Sequence, residues 1–162
     1  MVKLMKHVLK TNLQFSLDMV LLYFSIIFFG FYDLLSTLVA YNYLGSFEYE
    51  TGALPNILYM LGGVNGFIIG KAVIVGMCGL VIYAIMDAYG EIRSVGRGLM
   101  IGMILSGILV GSSNLNIMVN GQSFEIGGVA INNIVISILA GSIASGIVYM
   151  FIHDVPGKKL KS

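Results

Sequence analysis

The sequence contains few charged residues for its length. Of its 162 residues, 10% are charged and 57% are hydrophobic, and the mean hydropathy is +0.92. Soluble domains carry about 25% charged residues, so the charges here are too few to cover a water-soluble globule. The composition therefore excludes a soluble enzyme and a disordered chain, and it indicates an integral membrane protein.

The sequence also lacks an excess of basic charge. Nine Lys and Arg residues are balanced by eight Asp and Glu residues, which leaves a formal net charge of +1. A protein that binds nucleic acid needs a basic surface that neutralises phosphates. We therefore expect the lipid bilayer, and no nucleic acid, among the partners.

Residues that hold metals or carry out catalysis are scarce. Cys78 is the only cysteine, which excludes a disulfide framework and a thiolate metal site. The two histidines, His7 and His153, lie near opposite ends of the chain and make a poor metal site. We expect no metal, no cofactor and no enzymatic activity. An intramembrane enzyme built on a single aspartate and lysine is a third and weaker possibility.

Four apolar stretches are each long enough to cross a bilayer, which takes about 20 residues. They run from about Leu17 to Tyr43, Gly62 to Met86, Arg97 to Met118 and Gly128 to Phe151. The sequence thus predicts one all-α domain over residues 1–162, an integral membrane four-helix bundle. Between the first two spans, Leu54–Leu61 is apolar but too short to cross. It predicts a re-entrant or interfacial segment.

Basic residues indicate the orientation of the chain, because they favour the cytoplasmic ends of short loops. Eight of the nine fall on one side of the predicted topology: Lys3, Lys6, Lys10, Arg93, Arg97, Lys158, Lys159 and Lys161. The two loops on the other side, residues 44–61 and 119–127, contain none. We expect a multi-pass protein of the cell membrane with both termini in the cytoplasm.

Small residues recur at intervals of four along spans two to four. In lipid, small residues let helix backbones approach closely. The candidate packing residues are Gly66, Gly70, Gly102, Gly107, Gly111 and Gly141. Packing within the bundle accounts for such a pattern. The two small faces on span three also favour a homo-oligomer or contacts with other membrane subunits.

Asp33 and Lys71 are each flanked by long apolar runs. A charge at the middle of a membrane costs about 2.5–3.5 kcal/mol even on the lenient insertion scale. Asp33 lies about ten residues before the outer end of span one, and Lys71 about nine after the outer start of span two. At about 1.5 Å per residue the two lie at a similar depth. The sequence predicts an ion pair between them.

Other polar residues share the outer half of the spans. Thr37 follows Asp33 by one helical turn and lies on the same face, and Asn114 lies near the outer end of span three. We predict a pocket that opens outward, with Asp33, Thr37, Lys71 and Asn114 as ligand-binding or ion-pair residues. The residues predicted at its mouth are Glu50, Asn132 and Asn133.

Two functions fit such a pocket. In the first, the protein binds or passes a small solute, an ion or a lipid headgroup, as a transport protein does, since ionisable residues inside membranes are usually functional. In the second, the polar residues fix the register of the helices. The chain is then a non-catalytic structural subunit of a larger membrane complex, and its small-residue faces bind partner helices.

The order of these residues resembles an uncharacterised family of small prokaryotic multi-span membrane proteins. That family shows D-x3-T, then G-x-x-E-x-N-P, then an intramembrane Lys, and the resemblance covers residues 28–75. The matching residues are Asp33, Thr37, Gly45, Glu48 and Lys71. The chain departs from the pattern at the Asn-Pro pair, which appears later and reversed as Pro55-Asn56. The resemblance implies that Asp33, Thr37 and Lys71 act together, and it implies no activity.

Overall fold

A computed structural model gives the fold and describes residues 17–47, 53–121 and 125–154. The described chain contains four helices: α1 (Leu17–Leu44), α2 (Ala53–Ala88), α3 (Arg93–Asn120) and α4 (Ile131–Tyr149). Each belongs to a segment long and apolar enough to cross a membrane. The prediction of an all-helical chain with four such helices is confirmed. Glu50 and the terminal lysines lie outside the described residues.

Helix α1 changes geometry along its length. It is π-helical over Ile26–Tyr32 and becomes α-helical again over Asp33–Leu44. Single π turns are rare and occur frequently at functional sites. Gly30 lies in the π-helical segment, where a Cβ atom would be 2.9 Å from Cγ1 of Val75 in α2. The missing side chain lets the two helices touch here.

Helix α2 is broken at Gly62 and Gly63. Gly63 has φ 59° and ψ −149°, a conformation that is essentially restricted to glycine. Residues 53–61 form a short helix that folds back, so that Leu58 lies against Gly66 and Gly70. This short helix occupies the segment for which the sequence predicted a re-entrant or interfacial structure.

One small face of α3 packs against α4. A Cβ at Gly98 would meet the backbone of Ser142, and a Cβ at Gly102 would lie 2.8 Å from Ser142 Oγ. In return, Gly146 of α4 leaves room for the backbone of Val95. Close backbone approach at these glycines lets α3 pack extensively against α4.

The other small face of α3 packs against α1. Gly107 lies against the backbone of Phe28, and Gly111 lies against the ring of Tyr32. Both small faces of α3 are therefore used within the chain. Gly141 on α4 differs, because it is exposed and a Cβ there would meet no atom within 4 Å.

A small hairpin joins α3 to α4. Glu125–Ile126 and Val129–Ala130 pair antiparallel, and the turn between them is Gly127-Gly128, with both φ values positive (61° and 77°). Two glycines with positive φ suit a tight hairpin. Strands of two residues are too short for an alternating pattern, so the sequence analysis did not predict them.

Helix α2 packs less closely against α1 than helix α3 does. Its close backbone approaches to α1 are concentrated at the π-helical segment, whereas α3 packs closely along both parts of α1. At the level of Asp33–Leu44 the two backbones make few close approaches, and side chains such as Tyr41 and Tyr59 meet between them. The long side chain of Lys71 also bridges this space.

Candidate functional site

Asp33 and Lys71 form an ion pair between α1 and α2. Lys71 Nζ donates to Asp33 Oδ2 at 2.6 Å, and the two side chains are only 13% and 10% exposed. Asp33 is the first residue after the π-helical segment of α1, so the change of helix geometry directly precedes it. A buried charge is tolerated only when a partner compensates it, and each residue supplies that partner for the other.

Asn114 brings the third helix into the site. Its amide nitrogen Nδ2 donates to Asp33 Oδ1 at 3.2 Å. The same nitrogen lies 3.1 Å from Ser36 Oγ and 2.9 Å from Thr37 Oγ1. An NH2 group carries two protons, so three acceptors share them. The structure thus joins α1, α2 and α3 through Asp33, Lys71 and Asn114.

The hydroxyl groups of Ser36 and Thr37 are oriented by their own helix. Ser36 Oγ donates to the backbone oxygen of Asp33 at 2.9 Å, and Thr37 Oγ1 donates to the same oxygen at 2.8 Å. Since each hydroxyl has one proton, their oxygens are left to accept from Asn114. The sequence analysis chose Thr37 and missed Ser36, although helical spacing places both on the face of Asp33.

An aromatic cluster covers one side of Lys71. Its Nζ lies 5.2 Å from the centre of the Phe67 ring, within the range of a cation–π interaction. Phe47 meets Phe67 edge-on at 5.0 Å and stacks on Tyr59 at 4.5 Å, and Tyr41 lies beside both Phe47 and Tyr59. The lysine therefore lies between a carboxylate and an aromatic face.

A cavity of about 160 Å³ lies beside the ion pair. It is lined by Phe29, Asp33, Leu54, Pro55, Leu58, Phe67, Lys71, Ile74 and Val75. Apart from Asp33 and Lys71, every lining residue is apolar. The volume is too large for a single water molecule and is suitable for part of a small organic molecule.

The residues predicted at the pocket mouth are not part of this lining. Asn132 and Asn133 are exposed at the start of α4, whereas the cavity is formed by α1 and α2. Glu50 is outside the described residues. The structure therefore brings Asp33, Thr37, Lys71 and Asn114 together, but it does not bring the two α4 asparagines to them.

A second charged cluster lies at the other end of α1. The carboxylate of Asp18 accepts from Arg97 Nε at 2.5 Å, and Arg93 Nε lies 3.0 Å from its second oxygen. The sequence analysis used these arginines only to orient the chain and did not consider Asp18. Asp18 at the start of α1 and the two arginines at the start of α3 lie on the same side of the predicted topology, but the sequence does not show that these two helices are neighbours.

The site combines one hydrogen-bond donor group, one acceptor group and apolar walls. Lys71 supplies a donor and Asp33 an acceptor at the edge of an apolar cavity. Among the residues that the structure describes, no group of three His, Cys, Asp or Glu is placed to hold a metal ion. Neither a family model nor a curated protein nor a solved structure matches the chain, so the chemistry of the site is inferred from its own geometry.

Proposed function

We propose that the protein spans the membrane and binds a small amphiphilic molecule between α1 and α2. The polar group of the molecule lies at Asp33 and Lys71, and its apolar part occupies the cavity. The observation that carries this proposal is the cavity itself, in which one ion pair is the only charged feature of an otherwise apolar lining. Apolar walls with a few well-placed polar groups are typical of small-molecule sites.

The ion pair suits a ligand that has both a donor and an acceptor. Asp33 and Lys71 neutralise each other, so a neutral or zwitterionic polar group enters without leaving an uncompensated charge. Lys71 has three N–H donors and uses one of them on Asp33. The remaining donors are available to an oxygen of the ligand.

The looser packing of α2 against α1 provides a route of entry. Leu54, which lines the cavity, is apolar and exposed. In a bilayer this side chain would face lipid, so an amphiphile reaches the cavity from the side between α1 and α2. Buried Thr37 and Phe67 limit access from within the bundle. This arrangement favours binding over passage of a solute through the protein.

Orientation follows from the basic residues. With both termini in the cytoplasm, Asp33 and Lys71 lie in the outer half of the spans, and the short helix over residues 53–61 covers the outer end of the cavity. The proposed ligand is then an outer-leaflet lipid or another amphiphile of similar size.

Native mass spectrometry of the gently solubilised protein tests this function. The wild-type chain should carry a bound small molecule or lipid, and K71M should lose it. V73M is the matched control, because it introduces the same residue on the same helix at an exposed position outside the cavity lining. The double variant D33N/K71M removes both charges and should also lose the ligand. A wild-type protein without a bound molecule, or retention in both Lys71 variants, would contradict the proposal.

A structural role in a larger membrane complex is the second candidate function. Helix α4 is largely exposed and packs chiefly against α3. Gly141 and Ser137 lie on its uncovered side, where a partner helix can approach closely. Co-purification of other subunits in fixed ratio, lost in G141L, would favour this function. A chain that purifies alone or only with copies of itself would count against it.

A further inference from the structure

The side-chain amine of Lys71 is a nucleophile that reversible binding uses only as a hydrogen-bond donor. Lys71 lines the cavity, whose other walls apart from Asp33 are apolar. Its Nζ atom has three N–H groups and directs one of them at Asp33 Oδ2. The other two form no hydrogen bond within the described part of the chain. Lysine amines in apolar pockets are suited to form imines with carbonyl compounds.

Asp33 is held in place by a partner other than Lys71. Its Oδ2 atom accepts from Lys71, whereas its Oδ1 atom accepts from Asn114 Nδ2 at 3.2 Å. The carboxylate therefore keeps its position when the bonding of the amine changes. At 2.6 Å from Nζ it is also close enough to exchange a proton with the nitrogen directly.

We infer that Lys71 forms an imine with an apolar aldehyde that occupies the cavity, and that Asp33 transfers the protons and is the counter-ion of the product. The ligand of the proposed function, on which this inference rests, is then an aldehyde at the end of an apolar chain. A neutral carbonyl group enters without disturbing the charge balance of the ion pair. Ionisable residues inside membranes are often the counter-ions of bound ligands.

The reaction balances without a further reactant. A proton first moves from Lys71 Nζ to Asp33, and the free amine forms a C–N bond with the carbonyl carbon. The carbonyl oxygen accepts the proton from Asp33 and becomes a hydroxyl group. Asp33 then takes a second proton from the nitrogen and returns it to the hydroxyl. The C–O bond breaks, water leaves, and the nitrogen lone pair completes the C=N bond.

The product keeps the charges of the site. The released water contains the aldehyde oxygen and two ammonium hydrogens, so the iminium nitrogen retains one hydrogen and the positive charge. One hydrogen is what Lys71 uses on Asp33, so the contact between the two charges survives the reaction. Phe67, whose ring centre lies 5.2 Å from Nζ, also remains beside a cation. The apolar lining limits access of the water that would hydrolyse the imine.

Reductive trapping on the full chain in mild detergent tests this inference. The protein is incubated with hexadecanal and cyanoborohydride, which reduces an iminium to a stable amine, and is then denatured for peptide mass spectrometry. The wild-type chain should gain one hexadecyl group on the peptide that contains Lys71. Labelling there should be at least about tenfold faster than at the six lysines near the chain ends, because the cavity holds the carbonyl beside the amine.

Matched variants separate the reaction from general reactivity of a lysine. I74F puts a larger ring into the cavity lining and should slow labelling of Lys71. V73F adds the same ring at the exposed neighbouring position outside the lining and should not. D33N should also slow labelling, and D33E, which keeps the carboxylate, should restore most of it. K71R keeps a cation opposite Asp33 but has no amine for an imine, so it should lose the label at this position.

Hexadecanol distinguishes the imine from simple binding, since it has the same chain and no carbonyl group. Native mass spectrometry should show it bound reversibly to the wild-type chain and to K71R. Binding of hexadecanol without labelling of Lys71 by hexadecanal would overturn the imine and leave the proposed function intact. Neither binding nor labelling would contradict both. Equal labelling of Lys71 in the wild-type chain, I74F and D33N would also overturn the inference, because the cavity and the carboxylate would then have no part in it.

Discussion

Lys71 Nζ of α2 lies 2.6 Å from Asp33 Oδ2 of α1 and joins the two helices through their side chains. At this level the backbones of α1 and α2 make few close approaches, whereas α1 and α3 pack closely. The ion pair therefore adds to the contacts that α2 makes with α1 at Gly30 and with α3 at Gly96. The cavity lies beside the same two side chains, so a ligand in the proposed site would meet both of them.

Removing either charge should destabilise the fold more than removing both. D33N and K71M each leave the other residue of the pair as a largely buried charge without its partner. Such a change typically lowers the free energy of unfolding by about 3–5 kcal/mol. The double variant D33N/K71M leaves no unpaired charge and should recover most of that loss. The measurement is the free energy of unfolding in mixed micelles, with V73M as the control. Equal losses in all three charge variants would contradict a coupled pair.

Asn114→Ala should destabilise the protein by about 1–3 kcal/mol. The variant leaves Asp33 Oδ1, Ser36 Oγ and Thr37 Oγ1 without the donor that they share, and all three residues are buried. The matched control is Asn120→Ala in the same helix. The Asn120 amide donates an exposed hydrogen bond to Asn116. Removing it should therefore change the free energy of unfolding by no more than about 0.5 kcal/mol. Similar unfolding curves for the two variants would argue against the buried network.

Gly63→Ala should destabilise the break in α2 because of backbone conformation alone. Gly63 has φ 59°, and a Cβ there would meet no atom within 4 Å, so no side-chain clash contributes. The expected loss is about 1–3 kcal/mol. Gly76→Ala, in the helical part of α2 and also in open space, should be neutral or stabilising. Thermal unfolding of both variants measures the difference, and equal behaviour would mean that the break is not required.

The ion pair could be predicted from the sequence because two opposite charges at the same depth in apolar runs have few other polar partners available. Asp33 and Lys71 pair for this reason. Asp18 lies at the very start of a span, where a charge is inexpensive, so its position alone gives no reason to look for a partner. Its contact with Arg93 and Arg97 depends on which helices become neighbours, and that information lies in the tertiary packing.

Small-residue patterns predicted close packing but not the partner. Helix α1 packs against Gly107 and Gly111. In contrast, Gly66 and Gly70 contact Leu58 of their own broken helix and not a neighbouring span. The spacing of small residues along a helix indicates a groove on its surface. Which segment packs into that groove depends on the tertiary fold. The adjacent pair Gly62-Gly63 was a local signal for the break. The sequence analysis placed Gly62 at the start of the second span and predicted no break there.

Glycines that lie in the same pattern should differ widely in their tolerance of alanine. A Cβ at Gly107 would collide with the backbone of Phe28, which cannot rotate away as a side chain can, so α1 must move. Overpacking of this kind costs about 1–3 kcal/mol. Gly141→Ala meets open space and should change the free energy of unfolding of the single chain by less than about 0.5 kcal/mol. Unfolding measured at several protein-to-detergent ratios checks both values. A loss for Gly141→Ala that grows with protein concentration would show that a second chain covers this face of α4.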